Sequence, residues 1–169
     1  GNSYTLTVNA DTGAAFTGTA GRDTFVSTDT TLTTGDALDG GTGGYDVLSY
    51  TNDLTGATAS ESGFRLTNID EMALSLTDGD ATTVTTLTIN GLNAGAINYK
   101  VSGATNGAGA LEDVVTLENV AAGSTLEMNN ATNFNLNATY VAAATASTAD
   151  AVTLKVDTMA AAANTGTVT

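Results

Sequence analysis

The chain of 169 residues contains no cysteine, histidine, tryptophan or proline. Without cysteine there is neither a disulfide framework nor thiol chemistry. Without histidine, and with only Arg22, Arg65, Lys100 and Lys155 as bases, catalysis would have to use paired carboxylates, or Asp with Arg or Lys as in Ca²⁺-binding pectate-lyase-like β-helices. Paired carboxylates do cleave glycosides, but no acidic pair here is set in an aromatic-rich segment able to hold sugar, so no enzyme is expected. The four bases face 18 acids, a net charge of −14, and phosphate binding needs a basic surface, which excludes nucleic acid as a partner. No apolar run approaches transmembrane length, so no membrane span is expected. Gly1-Asn-Ser is not the charged start of a signal peptide, and the export information of a secreted protein would lie outside this chain.

Threonine is abundant, at 34 residues, beside 19 glycines; 41% of the chain is hydrophobic and 13% charged. That is too apolar for a disordered composition. With aromatics at 5%, the core must be thin. Threonine and valine favour strands, and glycine, Asn and Asp favour the turns between them. The length fits one domain over residues 1–169, with an Asp- and Gly-rich part over 1–80 and a Thr/Ala/Asn-rich part over 81–169. Ten of the 13 Asp residues lie before residue 81. Solvation alone does not require that clustering, whereas cation binding would use it and relieve the self-repulsion.

Two nine-residue windows align without gaps, Gly18-Thr-Ala-Gly21-Arg-Asp23-Thr-Phe25-Val26 and Gly41-Thr-Gly-Gly44-Tyr-Asp46-Val-Leu48-Ser49. Both read G-T-x-G-x-D-x-Φ-x, where Φ is a large apolar residue. Glycines permit a close-wrapped backbone whose carbonyls converge, and the Asp supplies charge, a combination suited to a hard cation such as Ca²⁺. The apolar residue two places on points to one face of an extended segment and can be buried beneath the loop. Asp36-Ala37-Leu38 repeats that ending. Asp36 and Asp39, three apart on the connecting turn, are candidates to complete a shell of carbonyls and water.

The windows resemble the glycine-rich nonapeptide of secreted RTX proteins, in which stacked repeats bind Ca²⁺ between the turns of a parallel β-roll. From about Tyr4 to Leu76, including Asn68-Ile69-Asp70-Glu71, the chain is similar to bacterial surface-layer proteins of the Caulobacter type that carry such repeats. Thr19 and Thr42 stand where the consensus has its second glycine, and two clean copies do not make a long regular roll. The resemblance implies Ca²⁺ as cofactor, held by Asp23 and Asp46 with the backbone of Gly18, Ala20, Gly41 and Gly43. Asp78 and Asp80, around Gly79, and Asp113 are weaker metal candidates. Asn68 and Glu71 are expected to satisfy backbone groups at a turn.

Along the chain, Tyr4, Leu6 and Val8 alternate with polar residues as an opening strand. Short strands follow each Asp loop, at Thr24 to Ser27 and Val47 to Thr51, and one extended stretch runs from Phe64 to Leu76. Further strands are expected around Leu87–Ile89, Ile97–Val101, Val115–Leu117, Leu126–Met128, Phe134–Leu136 and Val152–Val156. The unequal spacing fits an all-β, irregular right-handed parallel β-solenoid with calcium-binding glycine/Asp loops; a β-sandwich is the alternative. The Ala-rich pieces at Val141 to Ala149 and Met159 to Ala163 are candidate short helices.

The function expected is that of a calcium-dependent, self-assembling extracellular structural protein, a surface-layer or filament subunit on a bacterial cell surface. Its partners would be further copies of itself, with cell-surface polysaccharide engaged through another region. The alternative is a calcium-binding β-roll module of a secreted adhesin or other type I secreted protein. Neither end of the chain shows an obvious cap, which fits assembly or excision from a longer protein.

Overall fold

A computed structural model describes residues 1–56, 58–80, 83–105, 113–132, 134–141 and 153–157. Within them lie twelve strands and one short 3-10 turn at Gly13–Phe16. Strands β1 (Ser3–Thr5), β2 (Thr24–Thr28), β4 (Val47–Asp53), β6 (Glu71–Asp78), β8 (Asn98–Thr105), β10 (Thr125–Thr132) and β12 (Thr153–Asp157) form one sheet, in that order. Strands β3 (Ala37–Asp39), β5 (Ala59–Thr67), β7 (Thr86–Asn93), β9 (Asp113–Val120) and β11 (Phe134–Tyr140) form the other. Every pairing between these strands is parallel. The chain therefore alternates between two sheets and winds as a parallel β-solenoid. A sandwich of antiparallel sheets is ruled out, and both sheets run through residues 1–80 and beyond without a break.

Alternation within each strand decides which residues the coil encloses. In the seven-stranded sheet, Phe25, Leu48, Met72, Tyr99 and Leu126 are in register and all buried, and so are Ser27, Tyr50, Leu74, Val101 and Met128. The facing sheet supplies Leu38 and Leu66, Leu87 and Val115, and Ile89 and Leu117. Each buried aliphatic or aromatic side chain contributes about 1.5–3 kcal/mol of transfer free energy. Tyr4 stacks on Phe25 with ring centroids 4.8 Å apart.

Successive coils are not of equal length. Equivalent residues are separated by 21 from Asn2 to Asp23, 23 from Asp23 to Asp46, and 24 from Asp46 to Asp70. The separation is 27 from Glu71 to Asn98 and 28 from Glu127 to Lys155.

Two sequence expectations change. The opening strand stops at Thr5, and Val8 is exposed, because the Thr7 amide and hydroxyl turn onto the Asp11 carboxylate at 2.6 and 2.9 Å. The stretch from Phe64 to Leu76 is two strands in different sheets, parted at Asn68, whose φ of 51° lies in the left-handed region that Asn tolerates. Apart from Val141, whose amide donates to the Val120 carbonyl at 3.0 Å, the Ala-rich candidate helices lie outside the described residues.

Candidate cation site in the stacked Asp turns

Asp23, Asp46 and Asp70 each stand one residue ahead of a strand of the seven-stranded sheet, at the same corner of successive coils. Their spacing follows from the D-x-Φ pattern: the apolar residue faces the core, so the Asp two places earlier shares that face at the corner. Asp23 and Asp46 are buried and Asp70 is exposed. A buried carboxylate needs hydrogen-bond donors, and the neighbouring coil provides them. The Asn2 amide donates to Asp23 Oδ1, the Asp23 amide to Asp46 Oδ1 at 2.7 Å, and the Asp46 amide to Asp70 Oδ2 at 2.7 Å. One coil further on, Ile97 offers no polar atom, and the Asp70 amide turns to the Asp46 carbonyl at 2.9 Å. The ladder resumes where the Ile97 amide donates to Ser124 Oγ at 3.1 Å.

The two matched windows are not equivalent. Asp23 also accepts the Thr19 amide at 2.6 Å and the Thr19 hydroxyl at 3.0 Å, both at Oδ2. Burial raises its pKa, but these donors and the Asn2 amide outweigh it and hold the carboxyl below its ordinary value. Thr42, the counterpart of Thr19, makes no such bond among the described residues, and Asp46 accepts the Asp23 amide alone. Burial pushes the Asp46 carboxyl up; the Asp23 amide opposes this, while the charges of Asp23, Asp70 and Asp39 add to it.

Gly41–Gly44, Asp46, Asn68 and Asp70 line a cavity of about 280 Å³. Gly41, Gly43 and Gly44 have φ of 90°, 106° and 92°, and the carbonyls of the preceding turn press against them. A Cβ on Gly41 would lie 2.5 Å from the Thr19 oxygen and 2.8 Å from that of Gly18, and one on Gly44 2.7 Å from that of Gly21. The glycines are thus required by backbone packed on backbone, and that packing lines carbonyl oxygens along the turn stack. Among the described residues no three acidic side chains are grouped closely enough to hold a metal by carboxylates alone; a shell here would need those carbonyls.

Asp36 and Asp39 are not together on a turn, because Ala37–Asp39 is strand β3. At about 3.3 Å per residue they stand roughly 10 Å apart. Asp39 belongs to the turn stack: its Oδ1 accepts the Gly41 amide and the Asn68 side-chain amide, both at 2.9 Å. Asp36 lies at the other corner, where it accepts the Asp11 amide at 2.8 Å and the Thr33 amide at 2.7 Å, a single rung of the same kind, since its own amide turns to the Thr33 carbonyl at 3.2 Å. Asn68 therefore bonds a side chain rather than backbone. So does Glu71, which accepts the Tyr45 hydroxyl at 2.8 Å and the Asn98 amide at 3.2 Å. Asp78 and Asp113 meet at Thr85, at the opposite end of β6 from Asp70, and Asp78 accepts the Asp80 amide at 2.7 Å.

Asp70 is the site residue that sequence reasoning missed. Asp70-Glu71-Met72 repeats the D-x-Φ ending, but its turn has lost the glycines that marked the other two. Among the described residues no helix is long and apolar enough to cross a membrane. No family model, curated protein or solved structure matches the chain.

Proposed function

We propose that this chain is a calcium-dependent, self-assembling extracellular structural protein, a subunit of a bacterial surface layer or of a filament or matrix. The observation that carries the reading is Asp46, a buried carboxylate with a single hydrogen-bond donor, under the charges of Asp23, Asp70 and Asp39. A divalent cation supplies the missing positive charge, and Ca²⁺ suits an all-oxygen setting of carboxylates and carbonyls. Asp46 and Asp70 would hold it with the Gly41–Gly44 backbone and Asn68, and Asp39 beside them would add charge. Between the first two turns, Asp23 and Asp46 would act with the carbonyls of Gly18, Ala20, Gly41 and Gly43. The resemblance of both windows to the RTX nonapeptide supports the same ion.

Assembly rests on the sheets. Edge strands present unpaired amides and carbonyls that another copy can pair with, and ion-filled Asp turns no longer repel their neighbours. Extracellular calcium modules bind at about 10⁻⁴–10⁻³ M, which sets the switch near calcium levels outside a cell. The partners are further copies, with cell-surface polysaccharide engaged through another region.

Melting in EDTA and in excess Ca²⁺, with light scattering and electron microscopy across a calcium titration, tests both parts. A higher melting temperature and ordered sheets or filaments with Ca²⁺ are expected. An unchanged melt removes the calcium reading. A chain that folds on Ca²⁺ yet stays monomeric at high concentration removes the array reading and leaves a β-roll module of a secreted adhesin.

A further inference from the structure

A chain with 18 acids and four bases repels its own copies, so attraction between copies needs a base that its own chain does not already hold. Arg22 lies over the Tyr45 ring, 5.8 Å from its centroid. Lys100 and Lys155 approach the buried Glu127 carboxylate at 4.0 and 3.3 Å. Arg65 is left: it is exposed and makes no ion pair among the described residues.

Its place is the outer face of the five-stranded sheet. Phe64 and Leu66 on either side are buried, so alternation turns Arg65 outward, where its neighbours in register are Ala37 and Leu92. Asp39, two places beyond Ala37, is occupied by Gly41 and Asn68. Leu92 has 51% of its surface exposed, and with Arg65, Thr67 and Asn93 it lines a cavity of about 170 Å³. A guanidinium presents a planar fork of donors that matches a carboxylate, and the leucine beside it gains by being covered. Such a patch fits an acidic surface with methyl groups around it.

The seven-stranded sheet carries a surface of that kind. Thr51 and Asp53 stand in register with Ser75 and Thr77 on its outer face, and Thr28 and Asp29 adjoin them at the end of β2. These residues line a groove of about 350 Å³. Asp29 and Asp53 are both exposed, and no base pairs with either among the described residues. We propose that the Arg65–Leu92 patch of one copy docks into the Asp29–Asp53 groove of the next. Such docking rests on the self-assembly proposed above, and adds to edge pairing a contact through the sheet faces. Patch and groove are different surfaces on opposite sheets of the coil, so the contact is heterologous. Each copy keeps one of the two free, and copies extend as a row wherever the rotation between them does not close a ring. A row of this kind suits a layer or a filament.

Sedimentation and electron microscopy of the full chain in saturating Ca²⁺ test the contact, with wild type, Arg65→Glu, Asp29→Lys and an equimolar mixture of the two variants. Each variant alone should need about tenfold more protein to assemble, the loss expected of one reversed charge pair. The mixture should return to the wild-type concentration, because the groove that Arg65→Glu keeps meets the Arg65 that Asp29→Lys keeps, and the two reversed charges face each other. Both side chains are exposed, so melting temperatures in Ca²⁺ should match the wild type. A wild type that stays monomeric removes the assembly reading and this contact with it. Variants that assemble as the wild type does, or a mixture that stays dispersed, overturn the contact and leave assembly standing. Loss of calcium-dependent stabilisation in Asp29→Lys also overturns it, since the groove would then hold an ion. Should a reversal unfold the chain, Arg65→Gln and Asp29→Asn must each raise the assembly concentration, or the proposal fails.

Discussion

The backbone amide of Asp23 donates to the carboxylate of Asp46 at 2.7 Å, so each buried acid in the turn stack fixes the coil before it as well as its own. The same relation recurs from Asp46 to Asp70 and from Asp11 to Asp36. A carboxylate in this fold thus has a structural part independent of any ion, and the variants separate the two parts.

Asp46→Asn should weaken Ca²⁺ binding by about a decade, since a ligand charge is lost while a carbonyl oxygen remains. Asp23→Asn should lower the melting temperature with or without Ca²⁺, because Thr19 and Asn2 donate to its two oxygens. Asp53→Asn, whose carboxylate serves Thr55, should leave calcium affinity unchanged. Calorimetric titration and melting of the three variants check this; equal affinities throughout would reduce the glycine windows to turns.

Glycine substitutions should sort by what a Cβ meets. Gly56 has φ of 66° with nothing within 4 Å, so Gly56→Ala should cost about 1–2 kcal/mol from the left-handed conformation alone. Gly103→Ala adds a Cβ 1.8 Å from the Leu76 carbonyl oxygen and should be far more damaging, because parallel strands must separate to admit it. Urea unfolding of both variants gives the comparison.

Across the core, the Tyr50 hydroxyl donates to Glu61 Oε1 and accepts the Asn52 amide, both at 2.7 Å. Burial raises the Glu61 carboxyl above its ordinary 4.5; the Tyr50 bond opposes this and the Asp29 charge adds to it. The folded state therefore holds the extra proton, and this group's contribution is full below 4.5 and declines as pH rises through the folded value. Glu61→Gln keeps an acceptor for Tyr50 and should flatten that part of the melting profile. Tyr50→Phe strands two buried groups and should cost about 1–3 kcal/mol.

Leu74 is fully buried between Tyr50 and Val101 in register. Leu74→Ala should cost about 2–5 kcal/mol, read by the same urea unfolding, since stacked coils have few neighbours able to collapse into the cavity.

Much of the fold is legible in the residues. Threonine and glycine content and period-two strands point to an all-β chain, because backbone preference and alternation act within a few residues; the choice of a parallel coil over a sandwich rests on small side chains and on the likeness of the glycine/Asp loops to β-roll loops. Asp23 and Asp46 stand out for the same reason, each marked by its own glycine loop. Tertiary structure alone decided the rest. Coil lengths that grow from 21 to 28 residues erase any sequence period, so nothing local shows that Asp70 stacks under Asp46, that Asp36 and Asp39 part across β3, or that Asp78 meets Asp113. Those contacts are set by inter-strand register, which depends on how much chain each coil takes to return to its sheet, and that length is fixed only when the coils pack.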